Sequence, residues 1–311
     1  MKGSPSFAVL CANPGVDRVL SLPAPLFLGG INRVAVAGEY PGGKGANVAL
    51  ALRALGAKDV RYYAFEGEEP CRPIREPLTA CGVRQYTVKT AAGVRVNLKV
   101  TDPAGLVTEL NEKGGPVSEA ETRALLDRFA ADDADAVILS GSMPQGMPTT
   151  AYADCIRAAR ERGKFTVLDS DGEPMLAGLA AGPHVIKPNR VELCRILGRE
   201  DDTPALCRLF YEKWPHVTLL CTDGAAGSFF FGEAGRYHIS APRVEVKSTV
   251  AAGDAYLSAY LWYTLAEKLP VEKALARAAA AAAVKVSRGD RRFPTGAEIE
   301  GAPAVTVTAL A

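Results

Sequence analysis

The chain has 311 residues, 48% hydrophobic and 23% charged, which suits one large α/β domain with an added subdomain and excludes disordered, collagen-like or coiled-coil organisation. Lys and Arg number 36 against 35 Asp and Glu, a formal charge of +1. No global field therefore holds nucleic acid or an anionic membrane, and any phosphate ligand has to be met by local groups.

Phe7–Ala12 is the first apolar run, only six residues long and stopped by Asn13-Pro14. It is too short for a signal core or a membrane span, so a cytoplasmic protein is expected. Val19–Val36 alternates instead of running apolar. Gly45–Leu55 reads as a helix, with Val48, Leu52 and Leu55 on one stripe and Gly56 at its stop. Arg61–Phe65 reads as a strand; Gly82–Leu110 alternates again, with Asp102-Pro103-Ala104-Gly105 as a hairpin turn. Further strands fall at Ala136–Ser140, Thr166–Asp169, His184–Lys187 and Val217–Thr222, with helical stretches between. Asp254–Leu265 is a helix opened by a small-residue loop, and a last helix contains the alanines Ala278–Ala283.

This order predicts βαβ units and a mainly parallel sheet covered on both faces. The two alternating stretches predict a second sheet of four or five strands. Such a flap cannot easily bury both faces alone, so it is expected to cover an active site, pair with another subunit, or both. The seven cysteines, an odd number without a CxxC pair, lie in apolar or helical runs and read as reduced, buried thiols.

Two segments carry chemistry. Gly38-Glu39-Tyr40-Pro41-Gly42-Gly43-Lys44-Gly45 nearly spells the P-loop pattern GxxxxGK[ST]. Gly45 stands where the magnesium-binding hydroxyl belongs, however, and Pro41 removes an N–H, so a P-loop is set aside. What remains is close backbone approach to a hydroxylated ligand at Gly42 and Gly43, a mobile cation at Lys44, and Asn47 in the first helical turn. A plain glycine turn before a helix accounts for the same residues. Ser248-Thr249-Val250-Ala251-Ala252-Gly253-Asp254 opens the other helix, where unpaired N–H groups and the helix dipole favour an anion. A carboxylate there supplies a base beside an anion hole, enough for phosphoryl transfer; as a bare N-cap it contributes only ~1 kcal/mol.

Together and in this order, the two segments resemble the PfkB (ribokinase-like) family of sugar kinases, with its GGKGxN and DTxGAGD loops. Asn13-Pro14-Gly15-Val16-Asp17, Ile31-Asn32-Arg33-Val34, Gly93–Lys99, Thr108–Glu112, Ser140-Gly141-Ser142-Met143-Pro144 and Lys187–Glu192 are similar, in order, to its 1-phosphofructokinase and tagatose-6-phosphate kinase branch. The resemblance runs nearly end to end. It implies a three-layer α/β/α sandwich, a single kinase domain over residues 1–311 whose lid is formed by 14–36 and 84–112 and whose core takes 1–13, 37–83 and 113–311. It also implies ATP and Mg²⁺, a ketohexose phosphate (tagatose 6-phosphate or fructose 1-phosphate first, fructose 6-phosphate next), and a homodimer through the β-lid.

Residue by residue, Asp254 matches the family's catalytic base, and the N–H groups of Ala252, Gly253 and Asp254, with Ala251 before them, match its anion hole. Asp17 matches the lid residue that holds sugar hydroxyls, Gly42, Gly43, Asn47 and Asn97 the sugar site, and Lys44 a phosphate-neighbouring cation. Arg95 matches the group that holds the substrate's own phosphate, for which a guanidinium fork is suited; Arg33 is a weaker phosphate ligand. Asn189 and Glu192 match an NxxE motif acting through water on Mg²⁺, Lys187 a phosphate cation, and Thr222, Gly224 and Gly227 the loop along the ATP phosphates and ribose. The adenine pocket is expected near Ala280 to Val284.

Three positions depart from the pattern. Ala251 replaces a glycine, which costs roughly 1 kcal/mol or more if φ there is positive. Ser248 replaces Asp or Asn, and Phe65-Glu66-Gly67-Glu68-Glu69-Pro70 replaces a glycine-rich turn, placing acids that would repel a phosphate unless they face solvent. Two alternatives stay open: a kinase for an unphosphorylated sugar or nucleoside, which Arg95 opposes, and a catalytically impaired sugar-phosphate-binding protein.

Overall fold

The computed structural model describes residues 4–68 and 71–310. Its elements are β1 (Phe7–Cys11), β2 (Gly15–Ser21), β3 (Ala35–Gly42), α1 (Lys44–Ala54), β4 (Val60–Glu66), α2 (Arg72–Ala80), β5 (Arg84–Lys89), β6 (Arg95–Thr101), β7 (Val107–Asn111) and α3 (Glu119–Ala130). There follow β8 (Ala136–Ser140), α4 (Ala151–Glu161), β9 (Phe165–Asp169), α5 (Gly172–Ala180), β10 (Val185–Ile186), α6 (Arg190–Leu197), α7 (Thr203–Lys213), β11 (Thr218–Thr222), β12 (Ser228–Gly232) and β13 (Gly235–Ile239). The chain closes with α8 (Ala252–Leu261), α9 (Val271–Val286), α10 (Gly296–Glu300) and β14 (Val307–Ala309).

Ten strands form the main sheet in the order β14-β13-β12-β11-β10-β9-β8-β1-β4-β5. From β11 to β5 all neighbours run parallel; β12, β13 and β14 add an antiparallel edge. Strand β1 shows why the central strands read as unbroken apolar runs. Phe7, Val9 and Cys11 pack on one side with residues of α1, α8 and α9, and Ala8 and Leu10 pack on the other with residues of α3 to α7. The result is a three-layer sandwich. Helix α8 ends in a π-helical turn, Trp262–Ala266, so the expected helix Asp254–Leu265 is continuous in space but changes pitch.

The second sheet has four strands, β3-β2-β6-β7. Strand β2 pairs antiparallel with β3 and parallel with β6, and β6 and β7 form a hairpin around Asp102–Gly105. Two expected boundaries move. Arg84–Lys89 lies in the main sheet, parallel to β4, rather than in the lid; it alternates because it is an edge strand with one wet face, the same pattern a lid strand shows. Residues 37–42 belong to the lid rather than the core, because β3 stays paired with β2 as far as Gly42 opposite Gly15.

Among the described residues no helix is long and apolar enough to cross a membrane. All seven cysteines are free thiols, but Cys81 is exposed and Cys71 and Cys194 are half-buried, which corrects the expectation of uniformly buried thiols. Cys81 sits just past the end of α2, where the chain turns at the surface.

Candidate active site

The two small-residue segments meet. Helix α1 begins after Gly43, whose φ of 88° only glycine adopts easily, and α8 begins after Ala251, at φ 62°. Asn47 in the first turn of α1 donates its amide N–H to Asp254 Oδ2 at 2.8 Å. Asp254 is 6% exposed. Burial and the nearby Asp169 push its carboxyl up to about 6, against the pull of Lys187, Lys44 and the Asn47 amide. Beside it, the Ala252 N–H turns to Thr249 O at 3.3 Å.

Residues Gly38 to Pro41 of the near-P-loop segment lie in β3, so this stretch is a strand and not a phosphate-wrapping loop. A Cβ on Gly42 would stand 2.5 Å from Asp17 Oδ1 and 2.8 Å from Gly15 O. Only glycine therefore lets the lid strands close over Asp17.

Lys44 reaches from α1 to the carboxyl end of the main sheet, where its Nζ donates to Asp169 Oδ1 at 2.8 Å and to Glu192 Oε1 at 3.2 Å. Lys187 Nζ stands 3.4 Å from Asp169 Oδ2. It also lies against the anion-hole loop, only 3.1 Å from where a Cβ on Gly253 would be. Asp169 is fully buried between the two ammonium groups, and they hold its carboxyl below the usual range despite burial. Asp169 was missed from the sequence, where it reads as the last residue of an apolar strand. The available signal was a carboxylate at the carboxyl end of a parallel strand, the edge at which open α/β sheets bind ligands.

Asn189 and Glu192 form a reciprocal capping box on α6: Glu192 N–H donates to Asn189 Oδ1 and Asn189 N–H to Glu192 Oε2, both at 2.8 Å. Their spacing thus has a structural cause, and Glu192 Oε1 still faces Lys44. Thr222 ends β11 and bridges to Asn189, and the loop Gly224–Gly227 follows. Lys187, Asn189, Glu192 and Thr222 therefore share the carboxyl edge of the sheet. Among the described residues no group of three or more His, Cys, Asp or Glu side chains can hold a metal. Asp169 and Glu192, with Asp169 Oδ2 buried and lacking a hydrogen bond, fit a hard cation held mostly by phosphate oxygens and water.

One face of the lid is polar. Asp17, Tyr40, Asn97 and Lys99 share it by strand parity, and the Arg291 guanidinium stacks 5.1 Å from the Tyr40 ring centre, so this face turns toward the core. Asn97 donates to Asp17 Oδ1 at 2.9 Å. Arg95 is tied by Nε to Asn13 O (3.2 Å) and by Nη1 to Asn97 Oδ1 (3.3 Å) and Glu112 O (3.2 Å), and its Nη2 donates to no group among the described residues. A small cavity beside it is lined by Asn13, Glu66, Thr90 and Gly93. Glu66 accepts from Thr87 Oγ1 at 2.8 Å; Glu69 and Pro70 lie outside the described residues. Arg33 is exposed on the segment before β3.

The sequence profile of the family described as pfkB family carbohydrate kinase matches residues 19–296. A 1-phosphofructokinase of Vibrio cholerae is 32% identical over 292 residues, 90% of each chain. A tagatose-6-phosphate kinase of Staphylococcus epidermidis is 31% identical over 261 residues, covering 79% of this chain and 81% of that one. Among solved structures, phosphofructokinase-2 from Escherichia coli in complex with potassium superposes with a TM-score of 0.86 at 24% identity, over 96% of this chain and 98% of that chain.

Proposed function

Because the chain belongs to the pfkB family of carbohydrate kinases, we propose that it phosphorylates a ketohexose phosphate with ATP, using Asp254 as the base. Tagatose 6-phosphate and fructose 1-phosphate lead as acceptors, with fructose 6-phosphate next. The observation that carries the reading is the Asn47–Asp254 contact, which brings a buried carboxylate to the meeting point of two helix starts.

Asp254 takes the proton of the attacking sugar hydroxyl. A carboxyl raised to about 6 is ionised at neutral pH yet more basic than an ordinary aspartate. Asn47 orients the carboxylate by donating to Oδ2. The Gly253 and Asp254 N–H groups meet the charge on the transferred phosphoryl group, whereas the Ala252 N–H, expected in the same hole, donates to Thr249 O instead. Asp17 and Asn97 orient sugar hydroxyls, while Arg95 pairs with the substrate's own phosphate. Lys187 and Lys44 neutralise nucleotide phosphates, and the Thr222–Gly227 loop lies along them. Glu192 and Asp169 would hold Mg²⁺ through water, and the ion would offset charge on the nucleotide phosphates.

The lid's outer face supports a homodimer. Leu20, Leu98 and Val100 pack there with Leu22 and Leu26, and Val36 and Leu110, with Phe27, Leu28 and Ile31 nearby, remain exposed. Light scattering on the wild type and a Leu110→Asp variant tests this, with a monomeric wild type the contrary result. A chain with seven free thiols suits the reducing cytoplasm.

The deciding experiment measures ATP consumption with Mg²⁺ against fructose 1-phosphate, tagatose 6-phosphate, fructose 6-phosphate, fructose, ribose and adenosine. Turnover on a phosphorylated ketose is expected. Preference for an unphosphorylated acceptor would overturn the substrate class, and silence on all six with sugar-phosphate binding intact would leave a binding protein.

A further inference from the structure

Lys285 lies in the last turn of α9 and is 2% exposed. The next carbonyl, Val286 O, accepts the N–H groups of Lys247 and Ser248 at 2.8 and 3.1 Å, stitching this helix end to the start of the anion-hole loop. Lys285 Nζ stands 5.2 Å from the centre of the Phe293 ring, and Phe293 packs with Ala51 and Ala255 and against Ala251, the left-handed residue of that loop. Ammonium, ring and loop form one stack behind the residues that open α8. The Lys285 ammonium makes no hydrogen bond or ion pair among the described residues, although the Lys285 carbonyl accepts the Arg288 N–H at 3.4 Å. The charges around it are Asp254 and Asp290, which favour its charged form, and Arg288 and Arg291, which oppose it; burial brings it down to about 8.

An unpaired charge taken out of water costs stability, and an apolar side chain of similar length would fill the space without that cost. We propose that Lys285 is a positioning residue for phosphoryl transfer, its buried ammonium supplying fixed positive potential behind the Ser248–Gly253 loop where the transferred charge builds up. It does this without touching either substrate. The inference rests on the kinase reading of the same site.

The test compares Lys285→Met and Lys285→Arg with the wild type, measuring kcat, both KM values and Tm on the full chain. Lys285→Met should lower kcat by about ten- to a hundredfold with the sugar-phosphate KM within about twofold, while Tm holds or rises. Lys285→Arg should keep kcat within about threefold of the wild type, because the charge is retained. A purely structural lysine would give the opposite pairing, with Tm falling and kcat per folded molecule unchanged. Wild-type kcat in Lys285→Met, or equal loss in both variants with Tm intact, would overturn the inference alone. An inactive wild type would overturn the kinase reading and this inference together.

Discussion

Two helices open onto the same point from opposite ends of the chain, and they do so differently. Helix α1 starts after a glycine at φ 88° and presents a cation, Lys44, that finds two carboxylates, Asp169 and Glu192. Helix α8 starts after an alanine at φ 62° and presents an anion, Asp254, whose side-chain partner among the described residues is the neutral Asn47 amide. The difference separates a paired charge from a poised one. Lys44 is held firmly charged by its acid partners, whereas Asp254 is pushed toward neutrality by burial and by Asp169. A carboxylate kept slightly uncomfortable is one that accepts a proton readily.

The strongest way to break the contrast is to make the two helix starts equally inert. Asp254→Asn should lower kcat by about 10²–10⁴-fold with ATP binding intact. The same change should raise stability at neutral pH. The folded carboxyl lies near 6 against an ordinary 3.8, so the folded state binds more protons than the unfolded one between these values and stability falls as pH rises through that window. Relief of that penalty is on the order of 2 to 3 kcal/mol at pH 7 and vanishes near pH 4, a pattern that calorimetry at the two pH values checks.

Next in size, Arg95→Ala should raise KM for the sugar phosphate by one to two decades, corresponding to about 1.5 to 3 kcal/mol, with kcat changed much less. An unchanged KM would remove Arg95 from the phosphate role and leave recognition to the core. Asn47→Ala sharpens the contrast at its contact point. The amide holds the Asp254 carboxyl down, so its loss should shift the acid limb of the kcat/KM–pH profile, expected near 6, upward by about half to one unit. A limb that stays in place would separate Asn47 from the base.

The smallest effect is expected at Ala251→Gly, which makes the two starts alike in backbone. Relief of the left-handed alanine, roughly 1 kcal/mol, is partly offset by the greater freedom of glycine in the unfolded chain, so Tm should rise by no more than about 4 °C. A matching rise in kcat would mean that strain in this loop limits catalysis; an unchanged kcat would mean that the loop reaches its working geometry despite the alanine.

Much of this molecule is written locally. The apolar runs Phe7–Cys11 and Ala136–Ser140 state that they are buried on both faces, because nothing else accommodates five consecutive buried residues in a parallel strand. The small-residue loops before α1 and α8 mark the two helix starts locally, and Arg95 and Asn97 fall on one lid face by strand parity alone. Three features depend on partners distant in sequence. The edge strand Arg84–Lys89 carries a lid-like alternation, and only its hydrogen bonds to β4 assign it to the main sheet. Asp169 looks like the tail of an apolar strand until Lys44 and Lys187, distant in sequence, close on it. Lys285 reads as one more polar position on an alanine helix until tertiary packing buries it against Phe293 behind the Ala251 loop. Strand pairing and charge pairing are decided by which groups the fold brings within a few ångströms, and sequence periodicity carries no record of that distance.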